Sequence, residues 1–395
     1  MEELGKGGNM VEWKRIGDIC SNVFAGGTPS TKRKDYYDGD IPWIRSGEID
    51  FNVIKTAERN ITELGYKESS AKMIRKNSVV MAMTGATVAK SAVVSIETTA
   101  NQSVCAMETD ENIAKFKYVY YFLAKDYFKI KSSAQGALTS LNLAMIKNIL
   151  IPIPSLEEQE RIVGILDTFT ASIENLKEQI AQRRKQYEHY RDQLLDLEGK
   201  KGVEMKTLGE IVSSECTLSY GIVQPGDDFN DGVPVVRPVD LVGMFVYKKG
   251  LKKTTKAISD SYKRTILNGN EILLCVRGTT GIMSLATKEL NGCNVTRGIV
   301  PLSFDNDITK MYVYHVLKTN KLQRNIADKT NGTALKQINI KDLRLLNLPI
   351  HSFDKQTRIV SILDTFEASI SNLEAQLKQR EKQYEYYRNK LLTFE

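Results

Sequence analysis

The sequence predicts an α+β protein in which two pseudo-two-fold-related globular domains are separated by two long antiparallel helices forming a coiled coil. Three observations carry this. Residues 348–395 repeat residues 151–198 at an offset of 197, with 29 of 48 positions identical, so a structural unit has been duplicated. Within each copy the apolar residues recur by alternating steps of four and three, the spacing of a helix with one narrow seam. The stretches before each copy hold short Val, Ile and Met runs broken by Gly-containing turns, as strands are.

In chain order the predicted parts are a first globular domain over 1–150, a helix over 151–199, a second globular domain over 200–347 and a second helix over 348–395. The glycine-rich start reads as a loose leader over 1–12. Weaker echoes tie the globular parts together: KRIGDI (14–19) with KTLGEI (206–211), IPWIR (41–45) with VPVVR (233–237), and Tyr118-Val119-Tyr120 with Tyr312-Val313-Tyr314. Strands are expected at 79–83, 92–96, 271–276 and 298–303, and one further helix per half near 113–132 and 308–327. Gly26, Gly27, Gly85 and Gly278 read as turn glycines.

Pro152 and Pro154 with Ser155, and Pro349 with Ser352, mark the starts of the long helices. The seam runs through Ile162, Leu166, Phe169, Ile173, Leu176, Ile180, Tyr187, Tyr190, Leu194 and Leu197, and in the second copy through Ile359, Leu363, Phe366, Ile370, Leu373, Leu377, Tyr384, Tyr387, Leu391 and Phe394. At about 40 residues each helix is roughly 60 Å long. A helix of that length with a narrow apolar stripe needs a partner, and the other copy offers a matching stripe. Packing of each helix on its own globular domain is the alternative, against which the length of the heptad pattern argues. Arg183 and Arg380 interrupt the seam at equivalent places, either as stems lying along it, or as a polar layer that fixes register or a contact to a partner subunit. Tyr187, His189 and Tyr190, with Tyr384, Tyr386 and Tyr387, supply more aromatic surface than one seam can bury and are candidates for docking another protein.

With 42% hydrophobic and 26% charged residues the composition is that of a globular protein, and no apolar run is long enough to span a membrane. Five scattered cysteines without ligand spacing point to a reduced cytoplasm and to no metal centre. The net charge of +7 resides in the globular parts: residues 1–150 carry +3 and residues 201–347 carry +7, against −3 and 0 for the helical stretches. That excess permits nucleic-acid binding without establishing it. No GxxxxGK[ST], GxGxxG or Asn-Pro-Pro-aromatic motif is present, and the three histidines are far apart, so the sequence offers no catalytic constellation.

Candidate DNA contacts follow from side-chain type. Lys32, Arg33 and Lys34, with Tyr36 in the same loop, and Lys248, Lys249, Lys252 and Lys253 suit phosphates; Arg45, Arg237, Arg277 and Arg297 could hydrogen-bond guanine edges with both prongs. Any one of them could instead be a solvated surface charge. For Arg45 and Arg237 the alternative is a shared scaffold role, because they occupy equivalent places in halves that otherwise diverge.

The chain resembles the specificity subunit of a type I restriction–modification system. The resemblance covers almost all of it from Trp13 onward and rests on the junctions IPIPSLEEQERIVGILD (151–167) and LPIHSFDKQTRIVSILD (348–364), the helix ends KQYEHYRDQLL and KQYEYYRNKLL, and the GGTPS…YYDGDIPWI opening (26–44). The second half lacks that opening and looks like a different recognition-domain subtype; His351 replaces a proline, which leaves the helix start looser. The resemblance implies a non-catalytic, cytoplasmic DNA reader with two target-recognition domains, each binding one half of a split, asymmetric target. Its helices would act as a ruler for the gap and carry two adenine methyltransferase subunits, joined for restriction by two translocase–endonuclease subunits. S-adenosylmethionine, ATP and Mg would belong to those partners and none to this chain. A coiled-coil adaptor that binds no DNA, and a specificity subunit of a methylation-only system, are the competing readings.

Overall fold

The computed structural model describes residues 11–134, 140–196, 199–330 and 336–394. Most of the expected leader, through residue 10, and Leu197 lie outside them. Glu12, expected to close the leader, instead opens a strand. The chain forms two compact units, Met1–Lys177 with Gln376–Glu395, and Glu178–Ala375. Each takes in a part of both long helices.

The first unit is built on a five-stranded sheet in the order Cys20–Ala25, Val104–Thr109, Ser78–Ala82, Ser91–Val94, Val53–Ile54, antiparallel except at its last pair. The central strands read as continuous apolar runs because both sheet faces are covered. Val79 and Met81 face a core shared with Tyr118, Val119 and Phe122, while Val80 and Ala82 face a second core with Ile44, Ile54 and Ala100. A three-stranded sheet, Asn60–Ile61, Tyr37–Ile44 and Thr99–Ala100, closes that second side. Glu12–Arg15 pairs antiparallel with Leu150–Ile153, so the chain entering the domain is tied to the chain leaving it.

The second unit repeats the plan. Phe245–Val246, Met283–Ala286, Ile272–Cys275 and Ile299–Leu302 form the larger sheet, Lys253–Thr254, Val233–Val236 and Asn294–Val295 the smaller, and Val203–Thr207 pairs with Asn347–His351. No described strand corresponds to Cys20–Ala25. Pro301 accounts for this: its register partner Leu273 corresponds to Val80, which pairs with Ala106, so Pro301 stands where the first unit has Ala106. Its carbonyl accepts from Cys216 Sγ on the outer edge, which places the missing N–H on that edge too, where an added strand would lose a ladder bond.

The single helices expected near 113–132 and 308–327 are each two shorter ones, Phe116–Lys125 with Tyr127–Ser132 and Asp307–Leu317 with Asn320–Asp328. In the second unit Thr319 restarts the helix, its hydroxyl accepting from the Leu322 N–H.

The long helices span Leu156–Leu195 and Phe353–Leu391. In the first unit Phe169 stacks on Tyr387 at 5.3 Å, and Lys177 lies 3.8 Å from Glu381. In the second, Arg184 pairs with Glu374 at 2.5 Å and Tyr190 stacks on Phe366 at 5.5 Å. Within each unit the partner number falls as the residue number rises, so the packed segments are antiparallel. The seam arginines do something simpler than a polar layer: Arg380 sits over Phe169 and Arg183 over Phe366, 5.6 and 5.8 Å from the ring centres, an equivalent cation–π contact in both units. Leu166 and Leu363 are fully buried, and Ile180 and Ile370 nearly so; Phe169, Ile173, Leu176, Phe366, Leu373 and Leu377 are half-buried.

Two repeated sequence blocks meet at the helix bases. Tyr118 and Tyr312 donate their hydroxyls to the carbonyls of Pro152 and Pro349 at 2.7 and 2.8 Å. Tyr121 donates to Asp167 Oδ1 at 2.6 Å, and His315 Nε2 lies 2.9 Å from Asp364 Oδ1 at the equivalent place. His315 is completely buried, and its other ring nitrogen is 3.0 Å from the Tyr187 hydroxyl. Burial pushes the imidazole pKa down, outweighing Asp364, so the neutral ring donates from Nε2 and accepts at Nδ1. Gln159, also fully buried, donates to the carbonyls of Ile113 and Pro154 and accepts from the Lys115 N–H. Gln356 donates to the His351 carbonyl. His351 does not loosen the second helix start: its Nδ1 accepts the Ser352 N–H at 2.8 Å.

Candidate nucleic-acid interface

Each unit gathers its loop ends at one place through the same backbone bonds. In the first, Met83 N–H bonds Ser103 O, Leu141 N–H bonds Met83 O and Asn101 N–H bonds Ile44 O. In the second, Val276 N–H bonds Gly298 O, Ile338 N–H bonds Val276 O and Thr296 N–H bonds Val236 O. Arg45 therefore corresponds to Arg237, Thr84 to Arg277 and Gln102 to Arg297. Gly85 and Gly278 follow at φ +81° and +84°, as turn glycines do. Gly26 and Gly27 are different: neither has a positive φ, and each is needed because the chain runs against another backbone. A Cβ on Gly26 would lie 2.3 Å from Ala100 O, and one on Gly221 in the second unit 2.1 Å from Val295 O.

Arg45 and Arg237 end their strands and cap the short 3-10 turns that follow. Their backbone N–H groups donate at 2.8 Å to Glu48 and Asp240 respectively. The Arg237 guanidinium then forks onto Asp240 at 3.0 and 2.8 Å, a contact that raises its pKa, and Arg45 pairs with Glu58. Arg237 is thus spent within the scaffold through its whole fork, and Arg45 is held there through one prong. Arg277 and Arg297 are half-buried and have no ion pair or side-chain hydrogen bond among the described residues. The turn after Arg237 adjoins both: a Cβ on Gly298 would lie 2.6 Å from Pro238 Cγ and 3.7 Å from Arg277 O.

The lysine-rich loops divide similarly. Arg33 forks onto Asp35 at 2.8 and 2.5 Å and covers the Tyr36 ring at 4.4 Å. The Asp35 carboxyl is held below its usual range by that bond. Tyr36 is not a surface contact: it is 6% exposed, and its hydroxyl donates to Glu68. Lys32 and Lys34 project freely, with no ion pair among the described residues. So do Lys248, Lys249 and Lys252, while Lys253 donates to Asn230 O at 2.5 Å.

Of the aromatic docking candidates, Tyr187 is a core residue, 4% exposed and bonded to His315. Tyr384 is half-buried, and Tyr190 and Tyr387 lie stacked on seam phenylalanines, 44% and 40% exposed. His189 and Tyr386 face outward. Sequence reasoning missed Gln159, Asp167 and His315 as the groups that seat each helix, although the repeated EQ/KQ and ILDTF blocks contain two of them.

Among the described residues no His, Cys, Asp and Glu cluster could hold a metal ion, all five cysteines are free, and no helix is long and apolar enough to cross a membrane. The family described as type I restriction modification DNA specificity domain matches residues 10–183 and 200–382. The Escherichia coli EcoBI specificity subunit is 26% identical over 305 residues, 70% of this chain and 64% of that one. The EcoR124I/EcoR124II specificity subunit of the same species is 35% identical over 195 residues, 47% and 48% of the two chains, so these two matches span less than two thirds of either relative. The MjaIX specificity subunit of Methanocaldococcus jannaschii is 28% identical over 379 residues, 86% of this chain and 83% of that one. The crystal structure of the type I restriction–modification S subunit from M. genitalium shares the fold, with a TM-score of 0.63 over 99% of both chains at 18% identity.

Proposed function

Because the chain belongs to the type I restriction modification DNA specificity family, we propose that it is the sequence-reading subunit of such a system, directing adenine methylation and restriction to a split, asymmetric target. The observation that carries this is one scaffold used twice with unlike side chains at its converging loop ends: Thr84 and Gln102 in the first unit, Arg277 and Arg297 in the second. Identical readers would serve a palindrome, whereas unlike readers serve two different half-sites. Free lysines of each unit, Lys32 and Lys34 in the first and Lys248, Lys249 and Lys252 in the second, supply phosphate contacts that set register.

In this reading the chain is not catalytic. Two methyltransferase subunits bring S-adenosylmethionine and the chemistry, and two translocase–endonuclease subunits bring ATP and Mg for restriction, all in the cytoplasm. The names of its relatives, type I restriction enzyme specificity subunits, support those partners. The test is to map N6-methyladenine in the genome of a host before and after deletion of this chain. Loss of methylation at a single bipartite motif is expected. An unchanged methylome, with methyltransferase subunits still present, contradicts the proposal.

A further inference from the structure

A cation that is partly withdrawn from water and given no counter-charge costs stability, and folded chains seldom keep one without use. Among the described residues of the second unit, Arg277 and Arg297 are in this state, side by side. Val276 N–H bonds Gly298 O at 2.8 Å, so the residues that follow and precede these two atoms, Arg277 and Arg297, leave adjacent backbones. The neighbouring Arg237 shows what the same fold does with an arginine it needs for itself: it closes the fork on Asp240. Arg277 and Arg297 have no such partner among the described residues, and their forks are open.

The equivalent positions in the first unit are fixed by the shared backbone bonds, and both are neutral. Thr84 precedes Gly85 as Arg277 precedes Gly278; Gln102 precedes Ser103 as Arg297 precedes Gly298. Gln102 is exposed, and the Thr28 hydroxyl donates to its Oε1, which orients the amide. A guanidinium fork matches the two acceptors on the major-groove edge of guanine, while a carboxamide matches the donor and acceptor of adenine.

We infer that these two positions determine base preference in each half-site: Arg277 and Arg297 select guanine in the half read by the second unit, and Gln102 selects adenine in the half read by the first. This rests on the DNA-reading function proposed above. Thr84, a hydroxyl that can serve either base type, contributes less discrimination.

The test uses the full chain copurified with its methyltransferase subunits, selecting from duplexes in which both half-sites are randomised. Wild-type complex is expected to enrich guanine at positions in one half. Arg297→Gln and Arg277→Gln should each reduce that preference at one base pair by about 5- to 150-fold, with the other half unchanged. Gln102→Arg, at an exposed site where folding is not at stake, should convert one adenine preference in the other half to guanine. If the arginine variants weaken binding equally for every sequence, or leave the enriched motif unchanged, and Gln102→Arg leaves its half unchanged, these positions do not read bases and the inference fails. The function proposed above survives that result provided wild type still selects a split motif. A wild-type complex with no sequence preference overturns that function itself.

Discussion

Replacing His315 with Phe removes two hydrogen bonds from the base of the second long helix while keeping a ring in the cavity. One joins the imidazole to Asp364 at 2.9 Å and one joins it to the Tyr187 hydroxyl at 3.0 Å. A bond to a charged partner contributes about 1.5–3 kcal/mol and a neutral one about 0.5–1.5. The Asp364 side chain is 41% exposed and regains water, so a net loss of about 2 kcal/mol is expected. For a unit of this size that lowers Tm by roughly 4–8 °C, measurable by calorimetry on the full chain. His315→Tyr should recover most of it, because Tyr121 already donates to Asp167 at the equivalent place. The pH dependence has a definite sign. Burial depresses the folded-state pKa below the usual 6.5, so the unfolded chain takes up the proton first. The stability that His315 contributes is therefore complete above about 6.5 and declines as pH falls below it. The gap between wild type and His315→Phe should narrow on acidification. An unchanged Tm, or a gap that widens toward low pH, would refute the neutral bridging role.

Three further outcomes follow from the same geometry. Neutralising Lys248, Lys249, Lys252 and Lys253 together should weaken DNA binding for all sequences and shallow the log–log salt slope by at most about 2.7, about 0.9 for each of the three lysines without an internal bond; an unchanged slope removes them from the phosphate contacts. Arg237→Ala loses the fork onto Asp240 and should cost about 1–2 kcal/mol in urea denaturation without altering base preference; a preference lost at one base pair would return it to the readers. Gly221→Ala places a methyl carbon 2.1 Å from a backbone oxygen and should cost at least about 2 kcal/mol, so a wild-type denaturation midpoint would contradict the close approach.

What could be read from the sequence was what local pattern controls. The seam residues and flanking prolines delimit both long helices, and the apolar runs mark the central strands, because period and breakers act within a few residues. The side-chain roles depend on distant partners and were not readable. Tyr36 looks like a loop aromatic until Glu68 takes its hydroxyl and Gly65 packs against it. Arg45 and Arg237 look like open forks until their turns bring acids to them. The echo of Tyr118-Val119-Tyr120 in the second half, and the repeated ILDTF block, were visible separately. Only the fold shows that Tyr121 and Asp167, like His315 and Asp364, meet across more than forty residues. The missing strand of the second unit turns on Pro301, whose effect depends on which edge its nitrogen faces.

The central claim is that each unit reads its own half of one target, and exchanging the globular part of one unit tests it most directly. Residues 13–150 are replaced by the corresponding domain of another member of the family, and methylated adenines are mapped in cells carrying the hybrid with its methyltransferase subunits. The account predicts a new motif in which one half has changed and the other is retained. A motif altered in both halves, or in neither, would contradict it.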